Sequence, residues 1–160
     1  MNNGKKFEQD FKNSVPTNVW YYRFRDGTAS FYGGGGGNNI RFQQNNICDC
    51  EIFTGSKLLL CELKSHKGKS IPFNCIRENQ IKQMSEAGQF GSIIPLLIIN
   101  FADCERAFAV HINDFKNLME TSPKKSANIA EIQEIGQEIV CTKKISHYRY
   151  GVDDLLKHWQ

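Results

Sequence analysis

Ile47-Cys48-Asp49-Cys50-Glu51-Ile52-Phe53-Thr54-Gly55-Ser56-Lys57-Leu58-Leu59-Leu60-Cys61-Glu62-Leu63-Lys64 decides the fold. Two apolar runs flank the small polar triplet Thr54-Gly55-Ser56, which reads as two strands joined by a hairpin turn. Side chains alternate along a strand, so Leu58, Leu60, Glu62 and Lys64 share one face while Leu59, Cys61 and Leu63 take the other. Closing the hairpin sets Asp49 opposite Glu62, with Lys64 one pleat further on. Asp49, Glu51, Glu62 and Lys64 thus interrupt otherwise apolar strands. Burying each costs several kcal/mol unless it is paired or bound to a metal. Two arrangements satisfy that requirement: a solvated ion pair on the open face of the sheet, or a cation site.

The rest of the chain narrows the class. At 160 residues it is about one domain long and can bury a real core. A hydrophobic content of 40% and a charged content of 23% are those of a globular protein. No apolar run approaches the roughly 18 residues that cross a bilayer; the longest, 93–99, contains Pro95. Residues 1–8 turn charged at once and lack an apolar signal core, so an intracellular, cytoplasmic protein is expected. The cysteines at 48, 50, 61, 75, 104 and 141 fall mostly in apolar segments and read as reduced core thiols. A zinc set built from Cys48, Cys50, Cys61 and Cys75 lacks the usual knuckle spacing.

The net charge of +3 says little about partners, but its distribution says more. Lys57, Lys64, Lys67, Lys69, Arg77 and Lys82 stand against only Glu62 and Glu78 over 57–82. Lys64-Ser65-His66-Lys67-Gly68-Lys69-Ser70 leaves the second strand as a basic Gly- and Ser-containing loop. It suits the gripping of phosphates, and a plain solvated loop has the same composition.

Periodicity predicts a helix over 5–15 carrying Glu8 and ended by Pro16, an aromatic strand over 20–24, and a turn at 25–28. The glycines at 33–37 read as a mobile loop, with no strand-to-helix frame around them to make a phosphate-binding fingerprint. Then come a helix over 77–87 carrying Gln80 and stopped by Gly88, strands over 93–101 and 107–112, and a helix capped by Asn113-Asp114 and running through Met119. A helix over 129–140 and a closing helix over 152–159 complete the chain.

Carboxylates facing each other favour a hard divalent cation such as Mg²⁺, which takes oxygen ligands and keeps several waters. Asp49, Glu62 and the backbone carbonyl of Leu63 make a sufficient protein contribution. Such an ion, Mg²⁺ or Mn²⁺ in its place, serves phosphodiester hydrolysis. Lys64 would position or deprotonate the attacking water, the latter only if its pKa is lowered.

The order of these residues resembles the PD-(D/E)xK nuclease superfamily and, within it, the RecU-type Holliday junction resolvases. The likeness includes Gly4-x-x-Phe7-Glu8, Asp49, Glu62-Leu63-Lys64, Gln80 with Met84, Ile98-Ile99-Asn100-Phe101 and Asp153-x-Leu155-Leu156. It implies a single restriction-endonuclease-like α/β (α+β) domain over 1–160, with a mixed central sheet flanked by helices. By that resemblance Asp49 and Glu62 bind metal, Lys64 is catalytic, Glu8 is a further acid at the metal, and Gln80 supports the site or contacts DNA. Lys67, Lys69, Arg77, Lys5, Lys6 and Arg41 are expected on the DNA side. The implied substrate is branched, four-way DNA in a bacterial or phage-infected cell. Matched cuts in a two-fold symmetric junction imply a homodimer. Two departures stand out: only the short segment 25–46 occupies the place of the family's long stalk, and Asn79 stands where a histidine is usual. A nuclease of the same superfamily with another specificity, and a non-catalytic DNA-binding module, fit the same residues.

Overall fold

The computed structural model describes residues 3–24 and 46–159. The expected glycine-rich loop or short stalk, and Arg41 with it, fall almost wholly outside the described residues. In chain order the elements are α1 (Asn3–Ser14), β1 (Trp20–Arg23), β2 (Cys50–Phe53), β3 (Leu58–His66), β4 (Ser70–Pro72), α2 (Glu78–Ala87), β5 (Ile93–Phe101), β6 (Arg106–His111), α3 (Ile112–Thr121), β7 (Ser126–Asn128), α4 (Ile129–Ile135), β8 (Gly136–Ile139), β9 (Cys141–Lys143), β10 (Tyr148–Tyr150) and α5 (Val152–His158).

Six strands form a mixed sheet in the order β1-β2-β3-β5-β6-β8. Only β3 and β5 run parallel, and the helical crossover through α2 joins them. Both central strands are apolar on two faces because helices cover both sides. Phe7 and Phe11 of α1 and Val152, Leu155 and Leu156 of α5 pack on Cys50, Ile52, Leu59, Cys61 and Leu63. Ile81 and Met84 of α2, Ile112 and Phe115 of α3 and Ile132 of α4 cover the opposite face, over Leu60, Leu97 and Ile99. Each such side chain, fully buried, contributes about 1.5–3 kcal/mol. The mixed sheet between helical layers is the architecture expected from the sequence.

The hairpin forms where expected. Cys50 pairs with Cys61 and Phe53 with Leu58, and Gly55 turns the chain at φ +97°, a conformation glycine adopts without steric cost. Other boundaries differ for local reasons. The α3 cap is His111, whose Nδ1 accepts from the Asn113 amide at 3.3 Å, so Asn113 and Asp114 lie inside the helix. The helix expected over 129–140 ends at Ile135 and continues as strand β8. Its start is fixed by Asn128 and Glu131, each accepting the other's backbone amide. Its end is tertiary. Gly136 enters the sheet so closely that a Cβ there would lie 2.8 Å from Val110 Cγ2, and β8 takes the open edge of β6. No helix among the described residues is long and apolar enough to cross a membrane.

Candidate active site

Asp49 lies one residue ahead of β2, where the regular ladder breaks. Its carbonyl accepts from the Phe24 amide at 2.9 Å, its amide donates to the Cys61 carbonyl at 3.1 Å, and its Oδ2 accepts from the Leu63 amide at 2.7 Å. The carboxylate thus takes the Leu63 donor that the departing strand leaves without a ladder partner, and holds it beside Glu62. Glu62 is buried to 1% exposure in the middle of β3. Its two oxygens are engaged by different elements: Lys64 Nζ of the same strand lies 2.6 Å from Oε1, and Gln80 Nε2 of α2 donates to Oε2 at 3.2 Å. Alternation along β3 brings Glu62 and Lys64 to one side, and the α2 crossover lays Gln80 over them.

The electrostatics show a surplus of negative charge. Burial, and next the negative charge of Glu62, push the Asp49 carboxyl up to about 6; the Leu63 amide and Lys64 oppose the rise, and Glu8 adds to it. Burial pulls the Lys64 ammonium downward, but the charge and hydrogen bond of Glu62, then Asp49, outweigh it, so its pKa is raised. The condition under which Lys64 would serve as a neutral base is therefore not met by these neighbours, and it stands as a cation. Burial also pushes the Cys75 thiol up to about 11, and Cys48 higher still. All six cysteines are free thiols.

The structure brings Asp49, Glu62, Lys64 and Gln80 together. Glu8 is within electrostatic reach of Asp49, but its Oε2 accepts from Arg23 Nη2 at 2.6 Å and Nε at 3.2 Å. Sequence reasoning missed Arg23, although a cation interrupting the aromatic run Trp20-Tyr21-Tyr22-Arg23-Phe24 was its signal. Among the described residues no three His, Cys, Asp or Glu side chains converge as a metal cluster. A cation held here would be met by two carboxylates and completed by other oxygens. The donor set fits such an ion: hard oxygens, a like-charge pair, and one ammonium that leaves the pair undercompensated.

The basic residues expected on the DNA side are spread over several elements. Lys67 and Lys69 are exposed in the turn after β3, which is fixed by the Gly68 amide donating to Asp103 Oδ2 at 2.9 Å. Arg77 is exposed at the N-terminal cap of α2, three residues before Gln80. Lys5 is exposed on α1, whereas Lys6 is half-buried and lines a cavity of about 220 Å³ between α1 and the β9–β10 hairpin.

Residues 11–153 match the family Recombination protein U, a span that includes Asp49, Glu62, Lys64 and Gln80 and starts after Glu8. The chain belongs to the RecU family. This RecU-family chain is 35% identical over 170 residues to the SPbeta prophage-derived uncharacterized protein YotM of Bacillus subtilis (strain 168), covering 96% of this chain and 85% of that protein. Its fold is also that of Hjc, a Holliday junction resolvase of Archaeoglobus fulgidus. The TM-score is 0.51 at 13% identity, over 84% of this chain and 95% of that one.

Proposed function

We propose that this chain is a metal-dependent endonuclease of the PD-(D/E)xK type that resolves four-way DNA junctions by paired phosphodiester cuts. The observation that carries the reading is half-buried Asp49 set beside buried Glu62, two carboxylates sharing the single ammonium of Lys64, in a RecU-family chain. The fold shared with a solved Holliday junction resolvase supports the same substrate class.

Asp49, Glu62 and the Leu63 carbonyl would hold Mg²⁺ or Mn²⁺, with Glu8 as a further acid on release from Arg23. An ion held there would supply charge shielding for the scissile phosphate and acidify water beside it. Lys64, beside Glu62 on the same strand, would direct its ammonium at the attacking water or at a phosphate oxygen. Gln80 fixes the rotamer of Glu62 through Oε2. Lys67, Lys69 and Arg77 neutralise phosphates flanking the cut, with Lys5, Lys6 and Arg41 as outlying contacts. Because a junction is two-fold symmetric, two chains acting as a homodimer deliver the matched cuts. The setting is the cytoplasm of a bacterial or phage-infected cell.

The test is incubation of the purified protein with labelled four-way junction, flap, nicked and linear duplex DNA, with and without Mg²⁺. Symmetric paired nicks confined to the junction are expected. Asp49→Asn loses cutting and keeps junction binding. Cutting by Asp49→Asn at the wild-type rate, or equal cutting of linear duplex, overturns the reading.

A further inference from the structure

The β1–β2 wing of the sheet carries aromatic rings that the fold does not use. Trp20, Tyr22 and Phe53 are 51%, 46% and 43% exposed. Tyr21 packs into the core beneath α1, and Arg23 pairs with Glu8 of that helix, so alternation puts Trp20, Tyr22 and Phe24 on the opposite face of β1. Cys50 and Ile52 likewise face α1, which turns Glu51 and Phe53 the other way. That outer face is the one on which Glu62 meets Gln80 of α2. The rings and the candidate active site therefore share one side of the sheet.

The rings are ordered with respect to the site. Trp20 and Tyr22 stack with planes 6° apart and centroids 5.9 Å apart, and Tyr22 meets Phe24 edge-to-face at 5.3 Å. The Phe24 amide donates to the Asp49 carbonyl, so the row ends at a metal-ligand candidate. Tyr22 registers with Glu51 and through it with Leu60, two residues from Glu62. It thus lies roughly 10 Å across and 7 Å along the sheet from that carboxylate, with Trp20 roughly 7 Å further out.

We propose that Trp20 and Tyr22, flanked by Phe53, form a stacking platform for unpaired bases of the DNA strand that runs out from the cut site. The proposal rests on the nuclease reading for its substrate and adds the feature that the wing recognises. Bases stack on exposed aromatic faces without regard to sequence, and bases splayed apart where pairs open at a branch point would offer such faces beside the scissile phosphate. Glu51, on the same face between the rings and Glu62, repels phosphates and turns bases rather than backbone toward the ridge. A second copy of the chain fits less well. Three half-exposed rings offer on the order of 300 Å², well short of the ~800 Å² per partner of a stable interface.

Trp20 and Trp159 are the two tryptophans, so Trp159→Phe leaves Trp20 as the single emitter. Titrating that protein with oligo(dT) in EDTA is expected to quench Trp20 emission in step with binding read from the anisotropy of the labelled oligonucleotide. In the otherwise unaltered chain, Tyr22→Ala and Trp20→Ala each weaken oligo(dT) binding about tenfold, and Tyr22→Phe restores it. Asp49→Asn, which removes cutting, leaves the quenching intact, so failure of the nuclease reading and failure of this one are told apart. Unchanged Trp20 emission at saturating bound DNA overturns the platform. So does unaltered affinity in Trp20→Ala and Tyr22→Ala. A shift of the Trp20→Ala chain to a smaller species in sedimentation also overturns it, because the ridge would then be an interface between copies.

Discussion

Two ion pairs on the same sheet, Lys64–Glu62 on β3 and Arg106–Glu138 across β6 and β8, both close at 2.6 Å. Their surroundings separate them. Arg106 meets both oxygens of Glu138 and also Gln133, in the open, with its charge matched one for one. Glu62 is buried, and its lysine must answer for Asp49 as well. Length therefore does not separate the two pairs; burial and the balance of charge do. An exposed pair gains little because water screens it, while two carboxylates held close together away from water need a proton or a cation to offset their repulsion.

That contrast can be broken most directly at the chemistry. Asp49→Asn and Lys64→Ala are expected to lower metal-dependent junction cleavage by roughly a thousandfold or more, whereas Arg106→Ala leaves the rate within about twofold. Single-turnover rates at saturating Mg²⁺ decide it, and parity among the three would erase the distinction. Gln80→Ala, which frees one oxygen of Glu62, is expected to cost about 10–100-fold in Mg²⁺ affinity or rate, read from the Mg²⁺ dependence of cleavage.

Stability sharpens the comparison further. The folded Asp49 carboxyl is raised to about 6, so its favourable contribution is present below the ordinary carboxylate value near 3.8 and is lost as pH rises through 6. In EDTA at pH 8, Asp49→Asn should accordingly be more stable than the parent, by on the order of 2 kcal/mol, with the two converging at pH 4. Thermal melts at both pH values check the sign, and a destabilised Asn variant at pH 8 would contradict it. Arg106→Ala is the smallest change, within about 1 kcal/mol and shrinking with added salt.

Much of this was legible in the chain because it is encoded locally. The β2–β3 hairpin follows from alternation about Gly55, and the convergence of Asp49 with Glu62 follows from the hairpin. What escaped depended on distant partners. The helix pattern across 129–140 is real as far as Ile135, but the edge of β6 claims Gly136–Ile139 as strand, and only the close approach of Val110 shows why. His111 displaced the expected Asn113 cap because a ring nitrogen happened to reach the right amide. The sign of the Lys64 shift required the side-chain geometry of Glu62, which spacing alone does not supply. The exposed row Trp20 and Tyr22 looked like ordinary strand residues until the sheet order put β1 at its edge.

The clasp between Phe24 and Asp49 bears on the length of chain between them. β1 ends at Arg23 and β2 begins at Cys50, and the hydrogen bond from the Phe24 amide to the Asp49 carbonyl ties the two strands together where the connection between them starts and finishes. Loop-closure entropy grows only logarithmically, so doubling what lies between costs about 0.6 kcal/mol. A change in the length of that connection therefore leaves the Asp49 carboxylate anchored to its neighbouring strands.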